Sequence, residues 1–283
     1  MAWDAEGLWQ TLEPLAPGLS VEVLARVEST NSTLLERIRA GDSAPCLLVA
    51  EEQTRGRGRS GRSWQSVPGA SLTFSLALPI RAADWSGLSL AVGLAVAEAL
   101  DPCPPGELPH IGLKWPNDLM LSASGQAGFV HAHKLGGILI ESLPVAGQRM
   151  AVIGIGINIA PQLDSPDAAG LSQGYAGLQS LHPGLDAAGT LARVARPLLV
   201  AVQAFERDGF APLRECFASR DVLAGRPVTT TLPDLPAGTA DGVDADGALG
   251  LNVDGRRHRV ASGEVSVRPA AESLPRPKEK SAC

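Results

Sequence analysis

The 283-residue chain is poor in aromatics, in paired cysteines and in positive charge. One Tyr, five Phe and five Trp make up 4% of it, so its core must be mainly aliphatic. Its cysteines, Cys46, Cys103, Cys216 and Cys283, form no C-x-x-C pair, which removes support for zinc and dithiol redox chemistry and suits a reducing compartment. The formal net charge of -6 argues against a surface built for the phosphate backbone of nucleic acid. No stretch approaches the ~18 uninterrupted apolar residues of a membrane span. The first ten residues carry Asp4 and Glu6, with neither a basic start nor an apolar run, so no secretory signal is expected. A soluble, cytoplasmic protein follows as the expectation.

What is present suffices for one large domain, or one large and one small: 45% of residues are apolar. Strands are expected at residues 20–27 and 46–50, at 72–78 where Leu72, Phe74, Leu76 and Leu78 alternate with small or polar residues, and at 111–115, 135–141 and 150–159. Helices are expected at 33–39, where Thr33 and Glu36 have capping-box spacing and Gly41 can end the helix, at 88–100 and over 187–218. After Gly225 the texture changes to short runs at 228–232, 238–243, 249–253 and 258–260, split by Pro, Gly and Asp, as a small β-barrel reads. The expected fold is α+β, with a mixed or antiparallel sheet and helices over residues 1–219. A small all-β barrel domain follows over 220–269, then a polar, Pro-rich tail, 270–283, expected to be disordered.

Gly56-Arg57-Gly58-Arg59-Ser60-Gly61 spells G-x-G-x-x-G after a strand. A dinucleotide site needs a helix to start there, whereas this loop runs on through Arg62, Ser63 and Trp64 into another strand. Closely spaced arginines on a glycine backbone offer planar, permanently charged donors to carboxylate and phosphate. Such a loop has little stiffness of its own and is expected to order on its ligand; a solvated surface loop is the plain alternative. Four further segments carry polar groups at element ends. Ser29-Thr30-Asn31 can hold an uncharged polar group or simply cap a helix. Lys114-Trp115-Pro116-Asn117-Asp118 suits a phosphate with its divalent metal, or is an ordinary strand exit. Lys134 precedes Gly136 and Gly137 at a strand start, where it can enter a cleft or sit on an edge. Gly154 and Gly156 interrupt a buried strand ending at Asn158, and close approach of a ligand would explain them.

Taken in order, with Gln53 and Trp64 added, these segments resemble the biotin protein ligase family, and the resemblance extends to about residue 268. It implies a biotin–lipoate ligase fold of the class II synthetase type. It implies ATP-dependent activation of biotin as an adenylate, with magnesium, and transfer to a lysine of a biotin carboxyl carrier protein. It assigns Ser29, Thr30, Asn31, Gln53, Arg57, Gly58, Arg59, Lys134, Gly136, Gly154 and Gly156 to biotin. Arg57, Arg59, Trp64, Lys114, Asn117, Lys134 and Asn158 fall to ATP, Asp118 to magnesium, and Lys134 and Arg59 to the chemistry. Ser-Thr-Asn already at residue 29 implies a ligase without the N-terminal DNA-binding domain of some members, partnering neither DNA nor membrane; a homodimer stays open. A lipoate or octanoate ligase and a non-catalytic biotin-responsive regulator are the alternatives. Residues 122–133 read as an insertion; His131 and His133 share one side of a strand but lack a third metal ligand, so a lengthened hairpin tip is the simpler expectation.

Overall fold

A computed structural model describes residues 3–104, 106–122, 129, 131–145, 147–160, 174–261 and 265–270. The tail beyond 270 and most of the expected 122–133 insertion therefore lie outside the described residues. In chain order the elements are α1 (Ala5–Leu12), β1 (Ser20–Val27), α2 (Thr30–Arg39), β2 (Cys46–Gln53), β3 (Gly56–Arg57), β4 (Ser63–Trp64), β5 (Ser71–Pro79) and α3 (Leu88–Leu100). Then come β6 (Ile111–Lys114), β7 (Asp118–Leu121), β8 (His133–Val145), β9 (Gln148–Asn158), α4 (Ala187–Asp208) and α5 (Arg214–Ala218). The last are β10 (Pro227–Thr230), β11 (Ala237–Val243), β12 (Leu249–Val253), β13 (Arg256–Val260) and β14 (Val267–Pro269).

Seven strands form a mixed sheet in the order β1-β2-β5-β9-β8-β7-β6, with β1 parallel to β2 and every other pair antiparallel. The period of two decides what each face buries. Leu72, Phe74, Leu76, Ile153, Ile155 and Ile157 join one large cluster with residues of α1, α3 and α4. Burying each such side chain contributes roughly 1.5–3 kcal/mol. On the opposite face Leu48, Ala77, Met150 and Val152 pack under Leu34, Leu35 and Ile38 of α2. Farther along β9 on that same face the bulky residues give way to Gly154 and Gly156, and there the sheet is left open to a cleft.

Several boundaries differ from the sequence expectation. α2 starts at Thr30 because Ser29, not Thr33, is the N-cap, its hydroxyl accepting from Ser32 N. The stretch 187–218 is two helices, since Gly209 closes α4 at φ 68°, a backbone that only glycine adopts at little cost. α1, β7 and β14 were not expected. The C-terminal all-β unit is an antiparallel sheet in the order β13-β12-β11-β10-β14, and among the described residues β13 and β14 do not pair with each other.

The second sheet is tied firmly to the first. Residues 220–222 run beside β6, with Leu113 N donating to Arg220 O (2.7 Å) and Val222 N to Leu113 O (3.0 Å). The buried Arg220 guanidinium pairs with Asp101 at 3.0 Å and also donates to the Ile111 and Asp101 carbonyls. The fully buried Trp115 indole donates to Gly247 O at 3.0 Å. No described helix is long and apolar enough to cross a membrane.

Candidate active site

The cleft has a volume of about 1250 Å³, open solvent at its mouth included. One corner is built from hydroxyls and amides. Thr30 at the start of α2 donates twice to Gln53 Oε1, from its backbone N (2.7 Å) and its hydroxyl (3.1 Å). Ser75 Oγ lies 2.6 Å from Thr30 Oγ1 and 2.6 Å from Asn31 Oδ1. Asn31 Nδ2 donates to Leu139 O (3.2 Å) and Glu141 Oε2 (2.9 Å). This corner suits an uncharged polar group, with Gln53 Nε2 as a donor that has no hydrogen-bond partner among the described residues.

The other corner is charged. Lys114 ends β6 and Asp118 begins β7, and the two face each other across the hairpin. The register between β7 and β8 slips at Leu119 and Met120, so β8 carries one extra residue. That bulge turns Lys134 to the same side as Asp118. Asp118 accepts from Lys134 Nζ at 2.6 Å and from Lys114 Nζ at 3.2 Å. Burial raises the Asp118 pKa, but the two lysine charges and their hydrogen bonds outweigh it and hold the carboxyl below its usual range. Burial pulls the Lys114 ammonium down, and the Lys134 charge adds to that against the pull of Asp118. Asn158 Nδ2 donates to Lys134 O at 3.2 Å and so holds the strand that carries the lysine.

The arginine loop lies over both corners. β3 and β4 pair with each other, Gly58 N donates to Arg62 O (2.7 Å), and Ser60 sits in the left-handed region at φ 53°. Its arginines reach three separate places. Arg57 pairs with Glu141 on β8, Arg59 Nη1 donates to Asn117 Oδ1 (3.3 Å), and Arg62 Nη2 donates to Ser266 Oγ (2.6 Å). Side-chain contacts thus add to what the glycine backbone supplies.

Two family models match the chain: the biotin/lipoate A/B protein ligase family over residues 23–158, and the biotin protein ligase C terminal domain over residues 224–268. The bifunctional ligase/repressor BirA of Escherichia coli (strain K12) is 36% identical over 260 residues, which cover 89% of this chain and 75% of that protein. The biotin--[acetyl-CoA-carboxylase] ligase of Mycobacterium tuberculosis (strain ATCC 25618 / H37Rv) is 35% identical over 87% of this chain and 88% of that one. The solved structure of a biotin protein ligase from Aquifex aeolicus in complex with biotin and ATP superposes with a TM-score of 0.69 at 26% identity, covering 88% of this chain and 99% of that one. The chain belongs to the biotin protein ligase family.

The residues singled out by this ligase's sequence converge on one cleft. Ser29, Thr30, Asn31, Gln53, Arg57, Gly58, Arg59, Trp64, Lys114, Asn117, Asp118, Lys134, Gly154, Gly156 and Asn158 all line it. Gly136 does not; a Cβ there would lie 2.6 Å from Gly156 O, so its part is close packing of β8 against β9. Gly154 and Gly156 line the cleft and also make room for protein side chains. A Cβ on Gly154 would lie 2.2 Å from Asn31 Oδ1, and one on Gly156 would lie 2.3 Å from the Trp64 ring. Asp118 as a magnesium ligand fits poorly, because both carboxylate oxygens already hold ammonium groups. His133 opens β8, with its ring packed against Gly174.

The sequence reading overlooked Phe74 and Tyr175 in the lining and the C-terminal wall of the cleft, Val265 to Arg268, and also Ser75 and Glu141, which bond to lining residues. Tyr175 had one signal, as the only tyrosine in the chain. The wall had none, since a three-residue strand leaves no periodicity to read.

Proposed function

We propose that this chain activates biotin with ATP and transfers it to a lysine of a carboxylase biotin carrier protein. Residues 1–219 supply the catalytic unit and 220–269 close one wall of its cleft. The observation that carries the reading is the pair of ammonium groups fixed on Asp118, 2.6 and 3.2 Å away, in the same cleft as an uncharged hydrogen-bonding corner. The neutral corner at Thr30 and Gln53 suits the uncharged ring system of biotin, and the lysines suit its carboxylate and the phosphates of ATP.

In the first step the biotin carboxylate attacks the α-phosphorus and pyrophosphate leaves. Negative charge grows on the phosphoryl oxygens, and cations already fixed in place lower that barrier without reorganising. Lys134 and Arg59 are the residues assigned to this task. The mixed anhydride is sensitive to water, and the arginine loop shields it. The carrier amine then attacks the anhydride carbonyl and AMP leaves, so no covalent enzyme intermediate is required. Exchange of labelled pyrophosphate into ATP that depends on biotin is the test. Exchange driven by lipoate or octanoate but not by biotin would replace the substrate, and no exchange with any of these acids would remove the ligase reading.

A further inference from the structure

The geometry points to Glu141 as the residue that positions the arginine loop over the cleft and links its closure to the neutral corner. One carboxylate oxygen, Oε2, serves two partners: it accepts from Asn31 Nδ2 at 2.9 Å and pairs with Arg57 of the loop. Asn31 is itself fixed. Its Oδ1 lies 2.6 Å from Ser75 Oγ, its Nδ2 also reaches Leu139 O, and its amide fills the space that a side chain at position 154 would need. Asn31 thus aims Glu141, and Glu141 aims Arg57. The same chain of contacts continues the other way, from Ser75 Oγ to Thr30 Oγ1 and on to Gln53 Oε1. The corner that would take an uncharged ring and the loop that covers the reacting groups are therefore joined by one line of hydrogen bonds. A group bound at Thr30 and Gln53 stiffens that line and favours the closed loop, a coupling carried by polar side chains that share partners. Lys114, Asp118 and Lys134 lie outside it, so Glu141 is a positioning residue and touches none of the reacting atoms. The coupling to biotin rests on the function proposed above; the anchoring of the loop does not.

The anchoring is tested on the full chain without ligand. Trypsin cuts after Arg55, Arg57, Arg59 and Arg62, and its rate there reads how often the loop leaves the cleft. Arg57 is 43% and Glu141 27% exposed, so the pair is partly screened. Glu141→Gln is expected to be cut at Arg59 and Arg62 about three- to tenfold faster than wild type, at an unchanged melting temperature. Arg57→Gln, which alters only the more exposed partner, should give the same increase, and the double variant no more than either alone. Equal cutting in wild type and Glu141→Gln, or increases that multiply in the double variant, would overturn the assignment. So would a lowered melting temperature with cutting spread over the chain, which marks a purely structural role. Biotin should slow the loop cutting of wild type and do so less in Glu141→Gln; equal protection removes the coupling and keeps the anchor. Wild type that shows no biotin-dependent pyrophosphate exchange defeats the proposed function, while the ligand-free trypsin comparison still decides on Glu141.

Discussion

Asp118, with a side chain 13% exposed, and the buried Asp221 are carboxylates beside β6, and burial pushes the pKa of each upward. Their pKa values end shifted in opposite directions. Asp118 holds Lys134 and Lys114 and stays below its ordinary value. Asp221 lies next to Leu113, accepts from the Leu223 backbone N at 2.9 Å and has no paired cation among the described residues; burial pushes its pKa up to about 6. Burial alone makes a carboxylate keep its proton to higher pH. Burial with two ammonium groups turns it into a fixed anion, and the fixed anion in turn holds the cations. Two ammonium groups gathered where anions must bind would repel each other and lose protons without such a counter-charge. Asp118 is thus part of the cleft's chemistry, and Asp221 is a cost the fold carries.

The sharpest way to break this comparison is to remove a cation from Asp118. Lys134→Ala is expected to lower adenylate formation by about 10²–10³, the usual loss when a contact to a developing anion is deleted. Pyrophosphate exchange in the folded variant measures it, and near-normal exchange would leave Asp118 and Lys134 as a structural pair only. Next in size is Arg59→Gly. Arg59 reaches Asn117, the neighbour of Asp118, so its loss frees the loop beside the charged corner. A contact of roughly 1.5–3 kcal/mol shifts the open–closed balance about tenfold to a hundredfold. Adenylate should then escape and label an unrelated protein mixed into the assay; labelling no greater than that by wild type, with adenylate still made, counts against the loop as its cover. Smaller still is Thr30→Val in the neutral corner. It removes the hydroxyl between Gln53 and Ser75, and a roughly tenfold rise in the KM for biotin is expected with kcat little changed. A fall in kcat instead would place the neutral corner in the chemistry beside Asp118.

Much of the cleft was legible because its residues stand at strand ends or interrupt strands with glycine, where sequence patterns are strongest. Lys114, Asp118 and Lys134 could be named, but not their meeting. Lys134 faces Asp118 only because of the bulge opposite Leu119 and Met120, and no residue type announces a bulge there. Gly154 and Gly156 were noticed for a sound reason, since glycine weakens a strand. What they accommodate, Asn31 and Trp64, comes from segments more than 90 residues away in sequence. The alternation in β5 gave its strand almost to the residue. The helix start at Thr30 was missed because Ser29, Thr33 and Ser32 are all credible caps, and only the backbone of Ser29 is extended. The second sheet as a cleft wall depends on Trp115 reaching Gly247 and Arg62 reaching Ser266, contacts between segments that share no local pattern.

The smallest expected effect tests the other half of the comparison. Asp221 has a folded-state pKa of about 6, above the ~3.9 of an unfolded chain. Between those values the folded protein binds more protons than the unfolded one, so the contribution of Asp221 to stability falls as pH rises from about 4 to about 6, then levels off. Above that window the ionised group costs on the order of 2–3 kcal/mol. Asp221→Asn removes the charge and keeps an oxygen for Leu223 N. Its amide N–H groups replace Oδ2, which has no hydrogen-bond partner among the described residues, and leaving them unsatisfied costs about 1–3 kcal/mol. The net gain at pH 7 is therefore small, about 1 kcal/mol or less, and the decisive reading is its slope. Urea unfolding of wild type and Asp221→Asn from pH 4 to pH 7 should show the variant less stable at the acid end and gaining on wild type as pH rises. A difference that stays constant over this range would mean that Asp221 carries no uncompensated charge, and the contrast with Asp118 would lose its physical basis.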